Sequence, residues 1–174
     1  MAKKKYIETE AYEKGKRDLS RKNFRFARFM MLRYAMAFFF FTNLYWFAIL
    51  LEGGTGFAFA LPLGLLVLSV PAIYEQMRLY GDKSNDLTQR LEYNRYYYWG
   101  QIAVNLGMLG VLASGALFHS FFPIFNGQLT TRLILGILPL LGLLLARVCL
   151  TRIHNIKNNT DKFYARQQAF ESAS

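Results

Sequence analysis

The chain has 174 residues, of which 53% are hydrophobic, and it carries a formal net charge of +10. A mean hydropathy of +0.15 would permit a soluble domain, but the apolar residues are gathered in blocks and do not recur every three to four residues as on an amphipathic helix. The single cysteine, Cys149, excludes an intramolecular disulfide and a CxxC redox centre.

The first predicted segment, residues 1–28, is polar and strongly basic. In its C-terminal part the arginines fall on one helical face and apolar residues lie around the rest, which is typical of a helix that lies at the membrane interface before it turns into a span. A simple basic flank is an equally good interpretation. In both cases we expect the basic residues nearest the bilayer to contact anionic lipid headgroups, namely Arg21, Lys22, Arg25, Arg28 and Arg33.

Four long stretches without Asp, Glu, Lys or Arg make up most of the remaining chain, at residues 34–51, 53–74, 96–131 and 133–146. A helix needs about 20 mostly apolar residues to cross a bilayer. The sequence therefore predicts an all-α membrane protein whose transmembrane domain, residues 29–150, has four transmembrane helices. The predicted spans are about residues 29–51, 57–74, 97–121 and 129–150.

The links between the spans predict two antiparallel helical hairpins, because the connections within each pair are short. Between the pairs, the second helix is expected to continue to about Tyr80, and a new helix is expected to start near Asp86 and to run into the third span. Residues 151–174 are predicted to be a polar cytoplasmic tail.

The basic residues also predict the orientation. Of the 21 lysines and arginines, 20 lie in the N-terminal segment, the central loop and the C-terminal part, and only Arg132 lies in a link on the other side. Basic residues stay cytoplasmic, so the prediction is a multi-pass protein of the cell membrane with both termini in the cytoplasm. This bias explains the net charge without a nucleic-acid partner.

The third span contains the most specific pattern. Small residues recur there at helical spacing, at Gly100, Ala103, Gly107, Gly110 and Ser114. Such a stripe lets two helix backbones approach closely in a membrane. Packing within the four-helix bundle is the favoured interpretation, and an interface with another subunit is the alternative. Pro139, Gly142 and Ala146 form a shorter stripe on the fourth span.

Two asparagines lie deep in their spans. Asn43 and Asn105 are each about nine residues from the tyrosine that begins their apolar stretch. Because the two asparagines lie at the same depth, we predict that their side-chain amides form a hydrogen-bonded pair within the membrane. A polar site for a ligand is the functional alternative.

No sequence motif indicates a reaction, and we expect no cofactor and no metal site. The spans contain no Asp or Glu, whereas proton-coupled transporters generally need ionisable groups there. The leading hypothesis is a non-enzymatic multi-pass membrane protein that assembles with or regulates another membrane component, with anionic lipids, a membrane-protein partner or a second copy as its contacts. The alternative is a small membrane transport subunit that binds or conducts a solute.

Overall fold

The computed structural model describes residues 2–53, 56–81 and 91–172, and this part of the chain is helical without strands. The predicted all-α class is thereby confirmed. The helices are α1 (Ala2–Gly53), α2 (Ala60–Gly81), α3 (Glu92–Ser114), α4 (Phe118–Phe121), α5 (Leu129–Lys157) and α6 (Lys162–Ser172).

Three stretches of helix are long and apolar enough to cross a membrane within the described residues, at Phe26–Gly53, Ala60–Leu79 and Leu129–Lys157. In each, only 28% of the most apolar window is buried inside the protein, so most of these side chains point away from the fold. The third predicted span is not among them. Its helix, α3, carries Gln101 and Asn105 among its apolar residues, which lowers the mean hydropathy of the segment.

Helix α1 continues without a break from the basic segment into the first predicted span. It is one helix of 52 residues, so no turn separates the two, and the position of residues 1–28 relative to a membrane stays a prediction. The helix ends at Gly53, where an added Cβ would overlap the ring of Pro123. Helix α1 therefore ends against the link that precedes α5.

Helix α3 ends earlier than predicted. The third span was expected to reach residue 121, but α3 ends at Ser114, and the short helix α4 follows. The cause is Gly115, which adopts a left-handed conformation with φ of 71° and donates its N–H to the Val111 carbonyl at 2.9 Å. This is a common way for a helix to end.

The C-terminal part is more ordered than the predicted polar tail. Helix α5 continues beyond residue 150 to Lys157, and α6 follows after a short turn. Helix α6 packs against α1. At the other predicted helix boundary, α2 reaches Gly81 as expected, whereas Asp86 lies outside the described residues.

The long helices pack side by side. Helix α3 contacts both α2 and α5, and α1 contacts α2, α5 and α6. The largest group of buried apolar residues joins α1, α2, α3 and α5 and includes Leu32, Phe39, Tyr97, Tyr98 and Cys149. This core lies nearer to the end of the protein where α6 docks, and it holds α3 with one face turned inward.

Candidate functional site

The inward face of α3 is unusually polar. Apart from the adjacent pair Tyr97 and Tyr98, the residues buried along it are spaced three or four apart; they are Asn94, Tyr97, Tyr98, Gln101, Asn105, Met108 and Leu112. Polar groups without hydrogen bonds are costly in an apolar environment. The orientation of α3 therefore follows from its amides, which need partners on neighbouring helices.

Asn94 connects α3 to α2 near one end of the helix. Its Nδ2 donates to the Glu75 carboxylate at 2.8 Å and to the Ala72 carbonyl at 3.0 Å. Its Oδ1 accepts a hydrogen bond from Gln76 Nε2 at 2.5 Å, and its backbone N–H donates to Glu75 at 3.0 Å. The side chain of Asn94 is thus fully engaged. Sequence analysis did not single it out, although its spacing from Gln101 and Asn105 was a usable signal.

Asn43 connects α3 to α1, but through different partners than predicted. Its Nδ2 donates to Gln101 Oε1 at 3.1 Å and to the Tyr97 hydroxyl at 3.4 Å. The proposed amide pair with Asn105 is absent, because Asn105 Nδ2 is buried without a hydrogen-bond partner. Asn105 instead lies against α5, where a Cβ added to Gly142 would be 2.6 Å from its amide nitrogen.

The small-residue stripe of α3 lies on the opposite, outward face. Ala103, Gly107, Gly110 and Ser114 are exposed, and a Cβ added at Gly107 or Gly110 would meet no heavy atom within 4 Å. Gly100 differs, since its added Cβ would contact Leu65 and Leu68 of α2 at 3.6–3.7 Å. The favoured interpretation of the stripe as packing within the bundle was therefore wrong for four of its five residues.

Close packing of α3 with α5 uses the other small stripe. Pro139, Gly142 and Ala146 are buried on α5 together with Leu135, Cys149, Ile153 and Ile156. Asn105 of α3 thus fits against Gly142 of α5. The outward stripe of α3 remains uncovered in the single chain.

Arg28 is held inside the protein. Its side chain, with a relative exposure of 5%, donates from Nε to Asp161 Oδ2 at 2.5 Å and from Nη2 to the Ile156 carbonyl at 2.9 Å and to Asn159 Oδ1 at 2.8 Å. The guanidinium also lies 5.2 Å from the ring centroid of Tyr164. The predicted headgroup contact of Arg28 is therefore corrected to an internal ion pair between α1 and the start of α6.

The other predicted lipid contacts fall into two groups. The side chains of Arg21, Lys22 and Arg25 lie outside the described residues. Arg33 is half-buried, and its guanidinium carbon lies 5.0 Å from the ring centroid of Phe26. Arg33 also borders an open groove of about 500 Å³ between α1 and α2, together with Met36, Ala37, Ile73, Gln76 and Met77.

A second ion pair joins the start of α3 to the end of α5. Lys157 donates to the carboxylate of Glu92, and Arg95 lies 3.8 Å from the same carboxylate. The hydrogen bond from Lys157 lowers the pKa of Glu92 below its usual value of 4.5, against the opposing effect of partial burial. This pair is more exposed than the pair of Arg28 with Asp161.

The described side chains offer no group of three or more His, Cys, Asp or Glu residues that could hold a metal ion. The bundle thus has hydrogen bonds that join α3 to α1 and α2, the unpartnered amide nitrogen of Asn105 against α5, and an uncovered small-residue face outside. No protein-family model matches the chain, and no curated protein and no solved structure is significantly similar to it.

Proposed function

We propose that the chain is a four-span, non-enzymatic protein of the cell membrane that assembles with another membrane component through the outward face of α3. The observation that carries this proposal is the open space beside Gly107 and Gly110. Two glycines in the middle of a helix cost roughly 1 kcal/mol each relative to alanine. That cost is offset in a membrane when a second helix uses the small surface for close contact.

The third span in this proposal is α3. The helix has 23 residues, which corresponds to about 34 Å at a rise of 1.5 Å per residue. Its two charged residues, Glu92 and Arg95, lie at its start, outside the proposed span. It packs between α2 and α5, two helices that are apolar enough to span. Its amides face these neighbours and α1, so a bilayer would meet mainly small and apolar side chains.

Both termini are proposed to be cytoplasmic, and the spans form two antiparallel pairs. The distribution of basic residues supports this orientation. Cysteine labelling on a Cys149→Ser background tests it: a cysteine at Asn126 should react from outside the cell, and cysteines at Ser84 and Ser172 only after permeabilisation. Labelling of Ser84 and Asn126 from the same side would contradict four spans.

The assembly is tested by two matched glycine variants. Gly107→Leu fills the outward face of α3, whereas Gly64→Leu adds the same side chain to an exposed position of α2 that also has open space. In mild detergent, mass measurement of the intact complex should show the loss of the partner with Gly107→Leu and its retention with Gly64→Leu. A partner of 20.1 kDa indicates a second copy, and any other mass indicates a different protein.

Monomer stability separates assembly from folding. Because neither glycine has a neighbour to displace, both variants should unfold at the wild-type temperature or slightly above it. A Gly107→Leu variant that keeps every partner would contradict the proposed interface, and one that unfolds early would indicate internal packing.

The alternative of a transport subunit is less well supported. It requires Asn43 and Asn105 to present polar groups to a solute. Asn43 is 2% exposed and uses its amide nitrogen for Gln101 and Tyr97. These contacts favour a role in joining α1 to α3.

A further inference from the structure

The groove between α1 and α2 combines a basic end with an apolar body. It has a volume of about 500 Å³ and is lined by Arg33, Met36, Ala37, Ile73, Gln76 and Met77. No carboxylate belongs to this lining. The groove is open, and both helices that form it are apolar enough to cross a membrane at this position.

The position of the groove defines what can fill it. Ile73, Gln76 and Met77 lie in the last part of Ala60–Leu79, and Arg33 lies in the first part of Phe26–Gly53. An apolar groove open to a bilayer near the end of two spans is accessible to lipid acyl chains. If both stretches span a bilayer, its polar end would lie near the boundary where lipid headgroups lie.

The polar end is built from two fixed side chains. Gln76 is 7% exposed, and its amide is held by Asn94. Arg33 stacks on Phe26 and keeps further contacts. A guanidinium has five N–H donors in a planar fork that matches phosphate oxygens, so it can bind a phosphate while it retains other partners.

We propose that this groove binds one anionic phospholipid, with its phosphate against Arg33 and an acyl chain along Met36, Ala37 and Ile73. Charge complementarity selects the occupant: the one charged side chain of the lining is a cation. The other basic residues proposed to lie on the cytoplasmic side add attraction for a lipid of negative net charge. This inference is independent of the proposed assembly, since the groove and the small face of α3 share no residue.

The test is a lipid titration of the full-length protein in detergent, followed by mass spectrometry of the intact complex. The probes are phosphatidylglycerol and phosphatidylcholine with identical acyl chains. Wild-type protein should bind one phosphatidylglycerol in preference to phosphatidylcholine. Arg33→Gln should weaken phosphatidylglycerol binding roughly fivefold, equivalent to about 1 kcal/mol, and Arg33→Lys should retain most of the preference.

Matched variants separate the groove from general lipid adhesion. Ala37→Trp should fill the groove and prevent binding of both lipids, whereas Ala48→Trp changes another exposed alanine of α1 and should have no effect. Arg147→Gln removes an exposed basic residue of α5 and should leave the titration unchanged. Equal wild-type affinity for both lipids, unchanged binding in Arg33→Gln, or unchanged binding in Ala37→Trp would each overturn the proposal.

Discussion

Removing the charge of Asp161 should release α6 from the rest of the protein. In Asp161→Asn, Arg28 remains buried but loses its counter-ion, while the side-chain oxygen that accepts a hydrogen bond from the Tyr164 N–H at 3.0 Å can be retained. The variant thus isolates the ion pair from the cap at the start of α6. The side chain of Asp161 is fully buried, so solvent does not screen the effect of removing its charge.

The expected magnitude follows from that burial. Breaking a buried ion pair by removing one partner costs about 3–5 kcal/mol, because the remaining charge is uncompensated. Arg28 keeps its hydrogen bonds to Ile156 and Asn159, which favours the lower half of this range. The first consequence should be local, since α6 contacts α1 at the edge of the fold.

Hydrogen exchange measures this local release. The backbone amides of α6 in Asp161→Asn should exchange on the order of 10²–10³ times faster than in the wild type, as a free energy of about 3–4 kcal/mol implies. The control is Glu92→Gln, which removes a partly exposed ion pair worth no more than about 1 kcal/mol. An Arg28→Met/Asp161→Asn double variant should recover much of the protection, because it leaves no unpaired charge and can keep the cap on the Tyr164 N–H.

Protection of α6 that stays within threefold of wild type in Asp161→Asn would refute this reasoning. Failure of the double variant to recover any protection would show that packing, and not charge, holds α6 in place.

Three further predictions concern other contacts. Because the folded-state pKa of Glu92 is lowered, its contribution to stability is present above pH 4.5 and is lost as the pH falls through the folded-state pKa. The difference in unfolding temperature between wild type and Glu92→Gln should therefore vanish in acid. A difference that stays constant with pH would contradict the ion pair. Gly53→Ala should destabilise the protein by about 1–3 kcal/mol, because the added methyl group meets the Pro123 ring. Gly64→Ala should be neutral or stabilising in the same unfolding assay. Equal effects of the two substitutions would count against the contact between Gly53 and Pro123. Asn43→Leu should cost about 1–2 kcal/mol by leaving Gln101 and Tyr97 without their donor, and Asn43→Leu/Gln101→Leu should cost less than the sum of its single variants.

The helical class was predictable because uncharged stretches of this length have few alternatives to membrane helices. The orientation of α3 was harder to predict. Both α3 and α5 carry a small-residue stripe, and spacing alone does not say which stripe faces inward. The amides decide it, since Asn94 and Gln101 find partners on α2 and α1 only when the glycines face outward.

The Arg28 contact was missed for a different reason. Its partner Asp161 is 133 positions away along the chain, and no local pattern connects the two. Near a membrane boundary a basic residue usually indicates headgroup contact, and only the docking of α6 shows that this one is internal. The early end of α3 was readable in principle, because Gly115 follows directly after Ser114 at a position where glycine often ends a helix.

The most direct test of the proposed assembly is site-specific photocross-linking in intact membranes. A photoreactive residue at Leu106, which is exposed between Ala103 and Gly107, should form one discrete cross-linked product, and the same residue at Val67 on the exposed face of α2 should not. Adding Gly107→Leu should remove the product, and adding Gly64→Leu should leave it unchanged. Equal cross-linking from Leu106 and Val67, or a product that survives Gly107→Leu, would contradict a binding role for the outward face of α3.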